Sequence, residues 1–206
     1  MTAHLARVVV LAGPSGAGKS RLAGRLKDSH GWPIVRLDDF YRDEDDPQMP
    51  RSEELGIIDW DHPDSWNRPA ALTALDTLVR HGSVETPVYD ISANRAVDTT
   101  VVTARPSDIV LAEGIFAAEI IPDLHQLGLL AGAFCVHHHR WVTFARRLTR
   151  DLAERRKPPL TLVRRGLALA REEPALIRRQ EALGAEPARA AHLESRLSAL
   201  AAGVSA

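Results

Sequence analysis

The chain has 206 residues, with 26 Lys and Arg against 27 Asp and Glu, for a formal net charge of -1. That balance supplies no global field to favour nucleic acid or an anionic membrane, and 45% hydrophobic residues are enough for a globular core. Cys135 is the single cysteine, which excludes an internal disulfide framework and a cysteine-based zinc site; no apolar run approaches the ~18 residues that a bilayer requires.

Residues 7–13, RVVVLAG, are a β-branched run ending at glycine, the pattern of a buried parallel strand. The run flows directly into a glycine-rich stretch that signal-peptide cleavage would destroy, so the expectation is a cytoplasmic protein. In GPSGAGKS, Gly13, Gly18, Lys19 and Ser20 stand at the spacing G-x-x-x-x-G-K-S. Strand, glycine loop and helix together make a phosphate cradle: Gly13, Ser15, Gly16, Ala17 and Gly18 bend the backbone so that N–H groups point inward. Lys19 is then placed to reach the β- and γ-phosphates of a nucleoside triphosphate, and the Ser20 hydroxyl to ligate Mg²⁺. The helix that follows carries Leu22 and Leu26 on one face and stops at Gly31.

PIVRLDDF (33–40) predicts a second strand with an acidic end. Residues 41–66 are polar, proline-bearing and rich in Asp, without a clear period, and RDEDD (42–46) within them predicts a solvated loop. A helix is predicted through 70–82, then a small antiparallel hairpin in which ETPVYDI and DTTVVTA flank SANRAV. DIVLAEG (108–114) and GAFCVHH (132–138) predict further buried strands, with Cys135 as a small buried hydrophobe. In VHHHR the three adjacent histidines point to opposite strand faces and do not converge on a metal. RWVTFARRLTRDLAERRK (140–157) predicts a basic helix stopped by Pro158 and Pro159. The rest predicts helices broken at Pro174 and Gly184, with Pro187 in a first helical turn and no final strand. The alternation implies an α/β fold with a mainly parallel sheet in one domain over 1–206.

Neither an N-K-x-D guanine motif nor an L-S-G-G-Q signature loop is present. What the sequence offers is Asp38 at the end of the second strand, where ligands of doubly wound sheets gather. A carboxylate there can orient an acceptor hydroxyl and take its proton. Glu113, ending DIVLAEG, is similarly placed to hold Mg²⁺. Arg147 and Arg150 lie three apart on the basic helix and can share a face, where guanidinium groups stabilise a transferring phosphoryl group. Arg140 and Arg146 weigh more toward a solvated basic surface.

The motifs GPSGAGKS, LDDFYR, WDHPDSW, TPVYD, LAEGIF and RRLTRDLAERRK occur in the order and spacing of the uridine kinase family, which the chain resembles over about residues 7–157. That family sits in a wider group with phosphoribulokinase and bacterial pantothenate kinase. The resemblance implies a three-layer α/β/α P-loop kinase with an arginine-bearing lid at about 140–160 and extra C-terminal helices at about 160–206. It implies ATP and Mg²⁺ as cofactors and transfer of the γ-phosphate to a nucleoside hydroxyl, with uridine or cytidine as the type of acceptor. By the same resemblance Asp38 is the catalytic base, Asp61 binds ribose hydroxyls and Tyr89 lines the base pocket. Arg147 and Arg150 serve substrate and phosphate, and Arg155, Arg156 and Lys157 belong to the lid. His62 holds its loop, and Asp39 is a solvated or capping carboxylate. The chain departs from the pattern in three places. It lacks a histidine after P-x-Y, offering Asn94 and Arg95 instead; Arg156 and Lys157 replace a glycine and an arginine of the lid; no final strand frames the adenine, a part LGAEPARAAH would have to supply. A kinase for another metabolite (pantothenate, a sugar phosphate or a vitamin-like alcohol) and a non-catalytic nucleotide-binding regulator stay open. The partner is a small molecule, with no nucleic acid or membrane, and a homo-oligomer is left open.

Overall fold

The computed structural model describes residues 6–52, 56–153 and 159–204. Five strands form one parallel sheet: β1 (Arg7–Ala12), β2 (Ile34–Arg36), β5 (Ile109–Glu113), β6 (Leu130–Val136) and β7 (Glu186–Ala188), in the order β2-β5-β1-β6-β7. Alternation along the strands divides the core. Val8, Val10 and Ala12 of β1 join Val110 and Ala112 of β5 and Cys135 of β6 on one face, beneath α2 (Arg68–His81) and α3 (Ile121–Gln126). Val9 and Leu11 join Leu111, Phe134 and Val136 on the other, beneath α1 (Lys19–His30) and α6 (Ala190–Val204). Because successive strand residues point to opposite faces, a strand buried on both is apolar along its buried length, which is why residues 8–12 of β1 and 109–112 of β5 are unbroken hydrophobic runs. The expected three-layer α/β/α arrangement is present.

Strands β3 (Ser83–Asp90) and β4 (Arg95–Thr103) form the expected antiparallel hairpin as a separate two-stranded sheet. Helix α4 (Arg140–Ala153) packs against α5 (Pro159–Ala182), with the Phe144 ring lying where a side chain at Gly166 would stand.

Several predicted boundaries move. The second strand ends at Arg36, and Leu37–Phe40 turn into a short 3-10 helix, so Asp38 sits on a turn rather than in a strand. Helix α2 starts two residues early, at Arg68, because the Asn67 side chain caps it by accepting the Ala70 N–H at 3.1 Å. Helix α5 runs unbroken through Pro174. Glu173, Ile177 and Gln180, spaced four and three apart, turn one face of it inward, and that packing outweighs the local cost of the proline. Gly184, with φ at +99°, lies just beyond its end as expected. Pro187 lies in β7 and not in a helix; an edge strand tolerates its missing N–H. The final strand, unseen in the sequence, is therefore β7. The three adjacent histidines begin only after β6 ends, so strand alternation does not govern them.

Candidate active site

The loop between β1 and α1 is built on conformations that side chains avoid. Gly13, Gly16 and Gly18 have φ of +135°, +85° and +92°. A Cβ on Gly13 would also run into the Val136 carbonyl oxygen, so glycine is required twice over at that position. Gly18 caps α1 with no side-chain hydrogen bond, so the first-turn N–H groups face the loop's hollow together with the positive end of the helix. Such a cradle fits an anionic phosphate chain.

Lys19 is buried and donates from Nζ to the carbonyl oxygens of Gly13 at 2.8 Å and Pro14 at 3.1 Å, which folds its charge into the loop. Glu113, also buried, ends β5 beside it and faces the Ser20 side chain, which favours its ionised form. Burial pushes the Glu113 carboxyl above the usual carboxylate range; Lys19 opposes that shift, and the Asp38 charge adds to it. Ser20 and Glu113, the pair expected to hold a metal, are thus in contact, and a hydroxyl beside a carboxylate is an oxygen donor set suited to Mg²⁺.

Asp38 leans against the end of the same strand. Its Oδ1 accepts the Ile115 N–H at 2.8 Å, and Gly114 permits the approach: a Cβ there would lie 2.8 Å from that oxygen and 3.0 Å from the Leu37 Cβ. The Trp66 indole N–H donates to the Leu37 carbonyl at 2.6 Å and fixes the turn from beneath. Lys19, Ser20, Glu113 and Asp38 therefore form one continuous cluster. Asp39 points elsewhere, accepting from Arg36 Nε at 3.0 Å and the Tyr89 N–H at 3.5 Å; it is not the solvated or capping carboxylate that the sequence predicts but an ion-paired tie to the hairpin.

An aromatic wall follows. The Tyr41 ring lies 5.8 Å from Tyr89, 5.9 Å from Phe116 and 6.0 Å from Trp60. Tyr89 is half-buried and donates its hydroxyl to the Arg42 carbonyl at 3.2 Å; burial, with Asp43 and Glu44 nearby, raises its phenol well above the ordinary value. Asp61 is exposed next to Trp60, its N–H bonded to Asp59. His62 holds its loop by accepting the Asp64 N–H, as expected.

Asn94 is the one non-glycine residue with positive φ among the described residues, at +52°, in the hairpin turn. Its amide donates to Glu44 Oε2 at 3.0 Å, and its carbonyl accepts the Glu44 N–H at 3.0 Å. Arg95 opens β4, exposed, opposite Asp90. The acidic run is accordingly not a free solvated loop: Asp43 accepts the Ala96 N–H, Asp46 pairs with Arg42, and Glu44 clasps Asn94.

Arg147 and Arg150 lie in α4, but their side chains are outside the described residues, as are Arg155, Arg156 and Lys157 entirely. Arg146, for which the sequence gives a solvated surface more weight than for Arg147 and Arg150, overlooks the phosphate loop, its Nη1 3.8 Å from where a Cβ on Gly18 would be. Its spacing of four from Arg150 is the signal that could have found it. Burial, followed by the Arg146, His137 and Arg189 charges, lowers the His138 pKa. His137, His138 and Arg189 border a cavity of about 410 Å³ that Glu173 and Ile177 of α5 also line. Among the described residues, no cluster of three His, Cys, Asp or Glu side chains is arranged to hold a metal.

Residues 8–158 match the Phosphoribulokinase / Uridine kinase family. The chain belongs to that family. Curated relatives include the uridine kinase of Lactobacillus johnsonii, 30% identical over 78% of this chain and 75% of the relative. The uridine kinase of Bacillus pumilus is 30% identical over 72% of this chain and 69% of its own length. A solved structure from Silicibacter sp. TM1040, of a candidate fructose transport system kinase, superposes with a TM-score of 0.62, covering 89% of each chain at 21% identity. That identity carries the fold alone. Family membership makes the chain a P-loop kinase, a phosphotransferase that binds a nucleotide.

Proposed function

We propose that the chain transfers the γ-phosphate of Mg·ATP to a hydroxyl of a nucleoside of the uridine or cytidine type. The observation that carries this reading is the Asp38 carboxylate, held on the Ile115 N–H beside the Lys19, Ser20 and Glu113 cluster. Its Oδ1 is engaged by that amide, which leaves Oδ2 to orient an acceptor hydroxyl and take its proton as the new P–O bond forms. Bound Mg·ATP supplies the phosphoryl group. Lys19 swings from the loop carbonyls toward the phosphates, while the loop N–H groups and the α1 N-terminus hold them. Ser20 and Glu113 would hold the Mg²⁺, which would supply positive charge against the phosphate oxygens. Arg146, Arg147 and Arg150 offset charge on the moving group, and Arg155, Arg156 and Lys157 close the lid. Asp61 takes ribose hydroxyls, and the aromatic wall at Tyr89 takes the base, with Arg95 at its rim. The cavity between His138 and Arg189 suits the nucleoside end of ATP in size.

One observation favours a second reading, a kinase for another metabolite alcohol such as pantothenate, a sugar phosphate or a vitamin-like alcohol. The Asn94 amide, the group available to read a pyrimidine edge, is already bound to Glu44. The test is ADP release from Mg·ATP against a panel of nucleosides, pantothenate, ribulose 5-phosphate and simple vitamins. Strong stimulation by uridine or cytidine is expected. Stimulation by a non-nucleoside alone would replace the first reading with the second.

A further inference from the structure

We infer that Gln180, at the far end of α5, is a positioning residue for the Asp38 carboxylate. Gln180 is 2% exposed, and its Nε2 donates to the Ile115 carbonyl at 2.9 Å. The N–H of the same residue, Ile115, donates to Asp38 Oδ1 at 2.8 Å. Gln180, Ile115 and Asp38 therefore form a relay of two hydrogen bonds, and the side-chain amide sets the tilt of the peptide unit whose neighbour meets the carboxylate.

Among the described residues, the other backbone tie of the Gly114–Ile115 turn is the Gly114 N–H on the Leu11 carbonyl at 3.3 Å, which holds the preceding peptide unit. Gly114 has no side chain to lock it, and its absent Cβ is what allows Asp38 to approach. A turn that must stay bare on the Asp38 side has to be braced from the other, and the last turn of α5 supplies the brace. Arg179 adds a second tie there, pairing with Glu119 at 2.8 Å just beyond the turn. A carbonyl that loses its donor turns toward any other available, so the unbraced 115–116 peptide unit would rotate and, through the Ile115 Cα, shift the adjoining unit whose N–H holds Asp38. Gln180 lies outside residues 8–158, the part of the chain that carries the family match. The C-terminal helices thereby acquire a role at the reacting end of the sheet.

The effect on turnover rests on the reading of Asp38 as the base; the effect on geometry does not. The test measures hydrogen–deuterium exchange at the Ile115 amide of the ¹⁵N-labelled full chain, with ADP release and ATP binding measured on the same preparations. Wild type is compared with Gln180→Leu, Asp38→Asn and Asp38→Ala. Asp38→Ala removes the acceptor and sets the exchange rate of an Ile115 amide that nothing holds. Gln180→Leu is expected to speed Ile115 exchange at least about tenfold and to lower kcat roughly tenfold or more, with the KM for ATP within about threefold of wild type. Gln180→Met, which keeps the length without a donor, is expected to do the same and serves if the leucine variant does not fold. Unchanged Ile115 exchange in the folded variant overturns the proposal. If exchange speeds up while Asp38→Asn keeps full turnover, the positioning role stands and the base assignment falls.

Discussion

Glu113 joins two demands that conflict. In the proposed reaction this carboxylate at the end of a fully buried strand would serve a metal, yet burial raises its pKa, so the folded protein bears a cost whenever it is ionised. The sign follows from linkage. With the folded-state pKa above the unfolded value, this group's contribution to stability is full below the ordinary carboxylate range and is lost as pH rises through the folded-state pKa. Glu113→Gln should therefore melt higher than wild type at neutral pH, with the gap closing as the pH falls toward about 4. Its phosphotransfer should collapse; thermal unfolding across a pH series, with ADP release alongside, checks both. Gly114 makes the complementary case. Gly114→Ala has to push Asp38 away from Ile115, and a displacement near 1 Å should cost kcat roughly tenfold to a hundredfold with little change in ATP binding. Residue identity was partly legible before the fold. Lys19, Ser20, Glu113 and Asp38 sit in a motif or at a strand end, and sequence alone suffices to gather them. Asn94 is the opposite case: its partner Glu44 is fifty positions away, and no local pattern reports a contact of that range.

Elements follow the same division. Strands β1, β5 and β6 are legible because burial on both faces leaves an unmistakable run of apolar residues. Strand β7 escapes because it has three residues, one of them proline, and exists only by pairing with β6. Helix α5 escapes for the reverse reason: Pro174 announces a break that tertiary packing of Glu173, Ile177 and Gln180 overrides. The start of α2 depends on a side-chain cap. Asn67→Ala should lower stability by about 1 kcal/mol, read as a shift in denaturation midpoint at constant slope. Trp66→Phe keeps the apolar packing but strips the donor from the Leu37 carbonyl. It should cost on the order of 1–3 kcal/mol and slow turnover as well, because the next residue is Asp38.

Across the whole molecule, the sheet brings its chemistry to one edge. β1 lies between β5 and β6, so the loop leaving it opens at the carboxyl ends of both neighbours, and the turns after β2 and β5 meet it there. The hairpin and the loop cinched by Tyr41 and Trp66 wall one side, and α4, α5 and the histidine cavity border the other. This arrangement asks little covalent chemistry of the protein, since phosphoryl transfer is mostly positioning and electrostatics. In the proposed reaction Asp38 activates the acceptor without holding the nucleotide. The most direct measurement compares Asp38→Asn with wild type for acceptor-stimulated ADP release and for ATP binding. Stimulated turnover should fall at least about a hundredfold with ATP affinity nearly unchanged. Turnover equal to wild type would contradict this role for Asp38.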